Sequence, residues 1–323
     1  EGKMGTSIFY HFLGHGFEMR WLVSEMADVE KIHRQVVRKS ARIDSGRFIA
    51  NPEISVHPEI LSGCDLVIEA TPEEIGLKKK LFLTLDQILE QNVIITSNSS
   101  SIQPSSLCPS MNRAPKFCGL HFFYPLNIKQ FTEIITTNHT STETCNTLES
   151  FLERTGFLSL LLQEKQSFIL NKILLEVQNE AWHIVNSGQC TFFELDKIVT
   201  EHLFPSAIFS MIDHIGIDIL SVSIKNYIAS YPNRNYYLGF VDVLDQMVSQ
   251  GQIGKKCGLG FYSWPQTYLE ISLPSNSDQI AEHLKQTWFS ACKRFAAVSH
   301  LPLADLNDAI RDYFEMLKGP FEN

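Results

Sequence analysis

The sequence predicts an α/β protein in which a Rossmann-type domain with a parallel sheet is followed by an all-α helical domain. In the first half of the chain, short β-rich runs alternate with segments of helical spacing, which is the pattern of βαβ units. From about residue 167 the pattern changes to long amphipathic helices, beginning with SFILNKILLEVQNEAWHIVNSG. The predicted strands cover residues 18–23, 65–70, 93–96, 116–121 and 158–162, and the predicted helices of this half cover 6–13, 27–39 and 75–89.

Composition and charge narrow the class of protein. The chain has 323 residues, of which 44% are hydrophobic, enough for the cores of two domains. A net charge of -9 argues against a nucleic-acid partner, because the dense basic runs at 78–80 and 255–256 are too short to bind a phosphate backbone. Seven dispersed cysteines without a C-x-x-C pair indicate a reducing compartment and no metal site. With no signal peptide and no apolar run of about 18 residues, we expect a cytoplasmic protein that does not enter membranes.

The N-terminal EGKMG indicates a nucleotide site. Gly2 and Gly5 are expected to be the last two glycines of a G-x-G-x-x-G turn, where backbone N–H groups of Gly2, Met4 and Gly5 approach a pyrophosphate. The first glycine and its strand would lie before residue 1. We therefore expect a gap in the sheet where a central strand belongs, and a natural chain that begins roughly ten residues earlier, judged from ordinary strand length.

The choice of dinucleotide depends on the end of the second strand. An acidic residue there would bind the adenosine ribose. That position falls on Val23 or Ser24, with Glu25 next. We expect NAD, with Glu25 as the acidic residue, and NADP remains the alternative.

Candidate catalytic residues surround the stretch GLHFFYPLNIKQFTEII. His121 ends a predicted strand, Glu133 follows twelve residues later, and TSNSSS follows the neighbouring strand at the same edge of the sheet, where open α/β sheets bind ligands. A histidine oriented by a carboxylate is a general base for an alcohol that loses a hydride. The alternative is a satisfied core histidine beside aromatic residues, which is the more common situation.

Four segments together, SNSSS, GLHFFYPLNIKQFTEII, FILNKILLEVQNEA and GKKCGLGFYSW, closely resemble the 3-hydroxyacyl-CoA dehydrogenase family. The resemblance runs from Gly2 to about Trp264 in the family's order and spacing. It implies NAD as cofactor, an acyl-CoA substrate, and a homodimer formed through the helical domain. It also implies residue roles: His121 as base, Glu133 as its orienting carboxylate, Ser100 on the substrate oxygen, Asn171 near the thioester and nicotinamide, Glu73 and Lys78 near the nicotinamide ribose, and Asn98 near the nicotinamide.

Several positions depart from the family's pattern. Tyr124 replaces an asparagine, Gln166 and Ser167 replace proline and glycine, and PSAI at 205–208 replaces proline-methionine-glycine-proline. The segment 27–54 also looks shorter than the helical hairpin that helps to clamp CoA in relatives. These changes gather on the acyl-CoA side, which indicates a different acyl group, weaker CoA binding or lost turnover.

We therefore predict an enzyme that interconverts (S)-3-hydroxyacyl-CoA and 3-oxoacyl-CoA in fatty acid metabolism. The alternatives are a dehydrogenase of a small non-CoA 3-hydroxy acid and an inactive dinucleotide-binding homologue.

The expected domains are an NAD-binding domain at 1–165, a helical substrate and dimerisation domain at 166–268, and a linker with a helical half-repeat at 269–323. The half-repeat rests on a weak similarity at an offset near 111, which two unrelated hairpins would also give. In longer relatives such a unit packs within one chain in place of a partner subunit.

Overall fold

The computed structural model describes residues 2–40, 52–266 and 271–322. The chain divides into two compact units, the first spanning Glu1–Ser167 and the second Phe168–Asn323. Part of the segment 27–54 and part of the expected linker lie outside the described residues.

The first unit contains seven strands within its described residues. They are β1 Arg20–Leu22, β2 Glu53–Ser55, β3 Leu66–Glu69, β4 Ile94–Ser97, β5 Phe117–Phe122, β6 Phe131–Thr136 and β7 Leu158–Gln163. One sheet has the order β1-β2 and the other the order β3-β4-β5-β6-β7. All pairings are parallel except that of β5 with β6. The parallel-dominated sheet and the gap within it agree with the predicted fold, whereas β2 and β6 were not predicted.

The described residues of the first unit form four helices: α1 Lys3–Gly14, α2 Val29–Ser40, α3 Ile75–Ile88 and α4 Thr142–Glu153. Phe12 of α1 and Leu148 of α4 pack against one face of β5 through Leu120. Phe82 of α3 packs on the opposite face through Phe117. Because β5 is buried on both faces, its sequence reads as a nearly continuous apolar run.

A cleft of about 1710 Å³ separates the two sheets. The facing strands β1 and β3 both line it, as do residues of α1, including Phe9 and Phe12.

The second unit is helical, with isolated β-bridges between 254 and 263. Its helices are α5 Ile169–Asn186, α6 Phe192–His202, α7 Ile208–Ile215, α8 Ile217–Ile228, α9 Asn235–Ser249, α10 Ser277–Ser299 and α11 Leu303–Tyr313. The helix α5 is central and packs against α6, α7, α9, α10 and α11. None of the helices described in either unit combines the length and apolar character that a membrane span requires.

Helices α6 and α11 correspond at an offset of 111 residues. Phe192 and Leu303 begin them, and His202 and Tyr313 end them. Their buried residues share the offset: Leu195, Asp196, Ile198 and Val199 in α6, and Leu306, Asn307, Ala309 and Ile310 in α11.

A hydrogen bond to each helix also repeats at this offset of 111 residues. Asp196 Oδ2 accepts a hydrogen bond from the amide of Ser210 at 2.9 Å, and Asn307 Oδ1 accepts one from the amide of Phe321 at 3.0 Å. The internal repeat stays a prediction, and this correspondence supports it.

Candidate active site

His121 and Glu133 face each other across two neighbouring strands. The antiparallel register of β5 and β6 pairs them directly. His121 Nδ1 lies 3.0 Å from Glu133 Oε2, and both side chains are buried. An ionised carboxylate can only accept a hydrogen bond, so the proton between them belongs to Nδ1. In a tautomer with its proton on Nδ1, Nε2 is the ring nitrogen that can accept a proton.

The serine-rich segment after β4 is held by one carboxylate oxygen. Glu73 Oε1 accepts hydrogen bonds from the hydroxyls of Ser99 at 2.6 Å and Ser101 at 2.7 Å. It also accepts the backbone amides of Ser100 at 3.1 Å and Ser101 at 2.8 Å. The backbone position of Ser100 is therefore set by Glu73.

Asn98 ties this serine segment to the strand of His121. Its Oδ1 accepts a hydrogen bond from the amide of Phe122 at 2.8 Å. Because Phe122 follows His121 in β5, the bond joins the carboxyl ends of β4 and β5. The serine segment and the imidazole thus lie at one edge of the sheet, where open α/β sheets bind ligands.

Lys78 forms a buried ion pair that the sequence analysis missed. Its Nζ lies 2.7 Å from Glu69 Oε1 and 3.8 Å from Glu73 Oε2, and the side chains of Lys78 and Glu69 are each 1% exposed. The hydroxyl of Ser97 donates to Glu69 Oε2 at 2.7 Å. A buried charge requires such partners. Glu69 could have been found as the lone charged residue that closes the apolar run LVIE.

The N-terminus of α1 has room for a ligand. Gly2 is the N-cap residue of α1 and has no side chain that could cap the helix. A Cβ atom added to Gly2 would meet no other atom within 4 Å. Gly2, Gly5 and Glu25 line the cleft together with residues 70–72, which follow β3. The side chain of Met4 packs against the apolar core, so only its backbone is placed to bind.

These features fit a dinucleotide. The first N–H groups of a helix have no partners within that helix and attract anions. Gly2 leaves space for a phosphate to approach them. As for metals, no cluster of three His, Cys, Asp or Glu side chains suited to one occurs within the described residues.

Asn171 lies near the start of α5 in the second unit, where two tyrosines hold its amide. Its Nδ2 donates to the hydroxyl of Tyr227 at 3.1 Å, and its Oδ1 accepts from the hydroxyl of Tyr313 at 2.9 Å. The side chain of Asn171 is half-buried. Neither tyrosine was predicted from the sequence, since one lies in α8 and the other in α11.

The loop GKKCGLGFYSW folds around the buried carboxylate of Asp213. Asp213 accepts hydrogen bonds from the amides of Phe261 and Tyr262 and from the indole of Trp264, each at 2.9 Å. A Cβ at Gly260 would overlap the Asp213 carboxyl group, so the carboxylate explains why glycine stands there.

The segment 205–208, which differs from the family's pattern, leads into α7. The side chain of Asp196 binds the N-terminus of α7. Asp196 accepts hydrogen bonds from the amides of Phe209 and Ser210 and from the hydroxyl of Tyr262. Burial raises the pKa of Asp196, and these hydrogen bonds oppose the rise. Burial also raises the pKa of Tyr262, and the charge of Asp196 adds to that rise.

Tyr124 and Ser167 also differ from the family's pattern. Tyr124 is 54% exposed. The hydroxyl of Ser167 donates to the carbonyl of Glu164 at 2.6 Å. Phe168, which caps α5, has a left-handed backbone with φ of 59°.

Comparison with protein families gives one consistent match. Residues 1–164 match the model of the 3-hydroxyacyl-CoA dehydrogenase NAD binding domain, and residues 168–264 match that of the 3-hydroxyacyl-CoA dehydrogenase C-terminal domain.

Individual relatives cover the chain to different extents. The 3-hydroxybutyryl-CoA dehydrogenase of Clostridioides difficile is 30% identical in an alignment of 276 residues that covers 82% of this chain and 97% of that protein. The mitochondrial hydroxyacyl-coenzyme A dehydrogenase of Sus scrofa is 28% identical over 206 residues, which are 64% of this chain and 65% of that protein. The match to the pig protein therefore spans slightly less than two thirds of its length.

A solved structure shares the fold over nearly the whole chain. The crystal structure of 3-hydroxybutyryl-CoA dehydrogenase from Escherichia coli K12 aligns with a TM-score of 0.78 over 99% of this chain and 88% of that chain, at 18% identity. Its similarity includes the second unit beyond residue 264.

Proposed function

The chain belongs to the 3-hydroxyacyl-CoA dehydrogenase family, and from this premise we propose that it interconverts (S)-3-hydroxyacyl-CoA and 3-oxoacyl-CoA. Family membership supports an NAD-dependent dehydrogenase, and the first unit is the family's NAD-binding domain. The observation that carries the proposal is the buried contact between His121 and Glu133 at the ligand-binding edge of the sheet.

The proposed acid–base chemistry uses His121 Nε2. In the oxidative direction Nε2 accepts the proton of the 3-hydroxyl group, and Glu133 stabilises the imidazolium that results. NAD, when bound, supplies the acceptor for the hydride that leaves the same carbon. In the reductive direction the imidazolium returns its proton to the 3-oxo oxygen.

Two further side chains orient the substrate in this proposal. The hydroxyl of Ser100 donates to the oxygen at carbon 3, where charge changes during the reaction. The amide of Asn171 donates to the thioester carbonyl. Glu73 supports the role of Ser100, because four hydrogen bonds to one carboxylate oxygen fix the segment that carries it.

We propose that the cofactor site lies at the N-terminus of α1. The N–H groups after Gly2 would bind the pyrophosphate, and Gly5 lies beside Ala70. Glu25 is exposed at the cleft and would bind the adenosine ribose. Asn98, Glu73 and Lys78 are proposed to support the nicotinamide end through the network that they form.

The assembly and location of the protein are further proposals. We propose a homodimer through the helical unit, as the family resemblance implies. The packing of α10 on α5 favours the alternative, in which the half-repeat takes the place of a partner subunit. A monomer mass by light scattering would support that alternative.

The cysteines are free thiols, which is consistent with the proposed location in a reducing compartment such as the cytoplasm. The proposed reaction would serve fatty acid β-oxidation.

The test is NADH oxidation by the purified protein with acetoacetyl-CoA. We expect turnover, and we expect His121→Ala to lower kcat by about 100-fold or more, as loss of general acid–base catalysis does. An NADPH reaction tests the cofactor preference, and free acetoacetate tests the non-CoA alternative. Turnover of the free acid alone would overturn the acyl-CoA proposal. NADH binding without turnover on either substrate would identify an inactive dinucleotide-binding homologue.

A further inference from the structure

A tyrosine at the end of α11 contacts the proposed substrate-orienting amide. The hydroxyl of Tyr313 donates to Asn171 Oδ1 at 2.9 Å across 142 residues of sequence. Tyr313 lies beyond the residues that match the family's C-terminal domain, which end at residue 264. This bond connects the C-terminal half-repeat to a residue at the start of α5.

The two tyrosine bonds hold the plane of the amide. A carboxamide has an acceptor end and a donor end. Tyr313 donates to the oxygen, while Tyr227 accepts one N–H of Nδ2 at 3.1 Å. The second N–H of Nδ2 can then donate to a carbonyl oxygen. A flipped amide would present its oxygen to that carbonyl instead, which would be repulsive.

The end of α11 is well anchored, so Tyr313 is held in place. The ring of the next residue, Phe314, packs against Phe204 at 4.8 Å and Trp288 at 5.8 Å between centroids. Asn307 closes the following turn through the amide of Phe321. These contacts fix the helix independently of Asn171.

We propose that Tyr313, in the C-terminal helix α11, is a positioning residue for the dehydrogenase reaction. Tyr313 acts through Asn171, by holding the donor end of the amide toward the thioester carbonyl. The inference rests on the proposed function, because it takes Asn171 to contact the acyl-CoA substrate.

The test is a double-mutant cycle with Tyr313→Phe and Asn171→Ala in the full-length protein. Loss of one orienting hydrogen bond should lower kcat/KM for acetoacetyl-CoA by roughly three- to tenfold. Asn171→Ala should lower it further, and the double variant should equal Asn171→Ala alone, because Tyr313 exerts its effect through that amide. Equal NADH affinity in all four proteins would show that the effect lies on the substrate side.

The matched control is Tyr237→Phe. The Tyr237 hydroxyl donates to Glu176 Oε1 at 2.6 Å, so this variant removes a tyrosine bond to another residue of α5. We expect it to lower the thermal midpoint without lowering kcat/KM. An equal loss of kcat/KM in Tyr237→Phe would reduce the Tyr313 effect to general stability and overturn the proposal.

The outcomes separate this inference from the proposed function. Unchanged kcat/KM in Tyr313→Phe, with a clear loss in Asn171→Ala, would overturn the role of Tyr313 alone. Full activity in Asn171→Ala would instead remove Asn171 from the proposed site and the inference with it. Losses that multiply in the double variant would overturn the inference by showing that Tyr313 acts by a path other than Asn171.

Discussion

His121 Nδ1 lies 3.0 Å from Glu133 Oε2, and the two residues are direct partners on antiparallel strands. The strand register, rather than a flexible loop, therefore sets this contact. A shift of one residue in either strand would turn one of the two side chains to the opposite face of the sheet. The geometry of the pair is thus as rigid as the core that surrounds it.

Glu133→Gln should separate orientation of the imidazole from its packing. The substitution keeps the shape of the side chain and removes the charge that stabilises an imidazolium. We expect kcat with acetoacetyl-CoA to fall by about 100-fold or more, while NADH affinity stays within about twofold, because Glu133 is not placed on the cofactor. Glu153→Gln on the exposed surface of α4 is the control. A kcat close to that of the unmodified protein would exclude Glu133 from the chemistry.

Glu73→Ala should release the segment that carries Ser100. The donors of Ser99, Ser100 and Ser101 would lose their shared acceptor. We expect the free energy of unfolding to fall by about 1–3 kcal/mol, the usual effect of leaving partly buried donors unsatisfied. Urea unfolding measures this change, and kcat should fall in parallel.

Glu74→Ala is the matched control, since Glu74 is adjacent, exposed and of equal charge. It should leave both stability and kcat nearly unchanged. If the two variants behaved alike, the hydrogen bonds to Glu73 would carry no special weight.

Periodicity predicted the central strands well because burial leaves a strong pattern in the sequence. The predicted strands 93–96 and 116–121 differ by one residue at each end from β4 and β5. The position of the serine segment then followed from the rule that parallel strands end at one edge. The missed strand β6 reads FTEIIT, and its buried Glu133 interrupts the apolar run. His121 lies opposite and contacts this carboxyl group, and a single strand's sequence does not contain that information.

Long-range polar partners could not be predicted from local pattern. The contact between the ammonium group of Lys78 and Glu69 was not predicted. Tyr313 reaches Asn171 across 142 residues. Neither pairing has a periodic signal, since each depends on how separate elements pack.

Gly260→Ala should destabilise the second unit. The added methyl group would overlap the Asp213 carboxyl group, which holds the loop through three hydrogen bonds. Overpacking of this kind costs about 1–3 kcal/mol of unfolding free energy. Urea unfolding followed by tryptophan fluorescence, to which Trp264 in the loop contributes, provides the measurement.

The same substitution in an Asp213→Ala background provides the control. Without the carboxyl group the methyl group has room, so Gly260→Ala should cost much less there than in the unmodified chain. Equal costs in the two backgrounds would show that the backbone of the loop, and not Asp213, demands glycine.

The pH dependence of stability should reflect His11 in α1. Burial lowers the pKa of His11 from an ordinary 6.5 to about 4, and the neighbouring His15 adds to the shift. Its buried Nε2 meets the geometry of a hydrogen bond with no described residue. Below pH 6.5 His11 therefore takes up a proton in the unfolded chain but stays neutral in the folded chain. The contribution of neutral His11 to the free energy of unfolding is thus lost progressively as the pH falls toward 4.

His11→Phe isolates that contribution, because the new ring suits the aromatic contacts with Phe12 and Phe157 and does not titrate. Urea midpoints of both proteins at pH 7.5, 6.0 and 5.0 provide the comparison. We expect the unmodified protein to lose more stability than the variant between pH 7.5 and 5.0, so that the difference between their midpoints changes in favour of the variant. Parallel pH profiles would mean that His11 takes up its proton equally well in the folded and unfolded chain, and they would contradict this prediction.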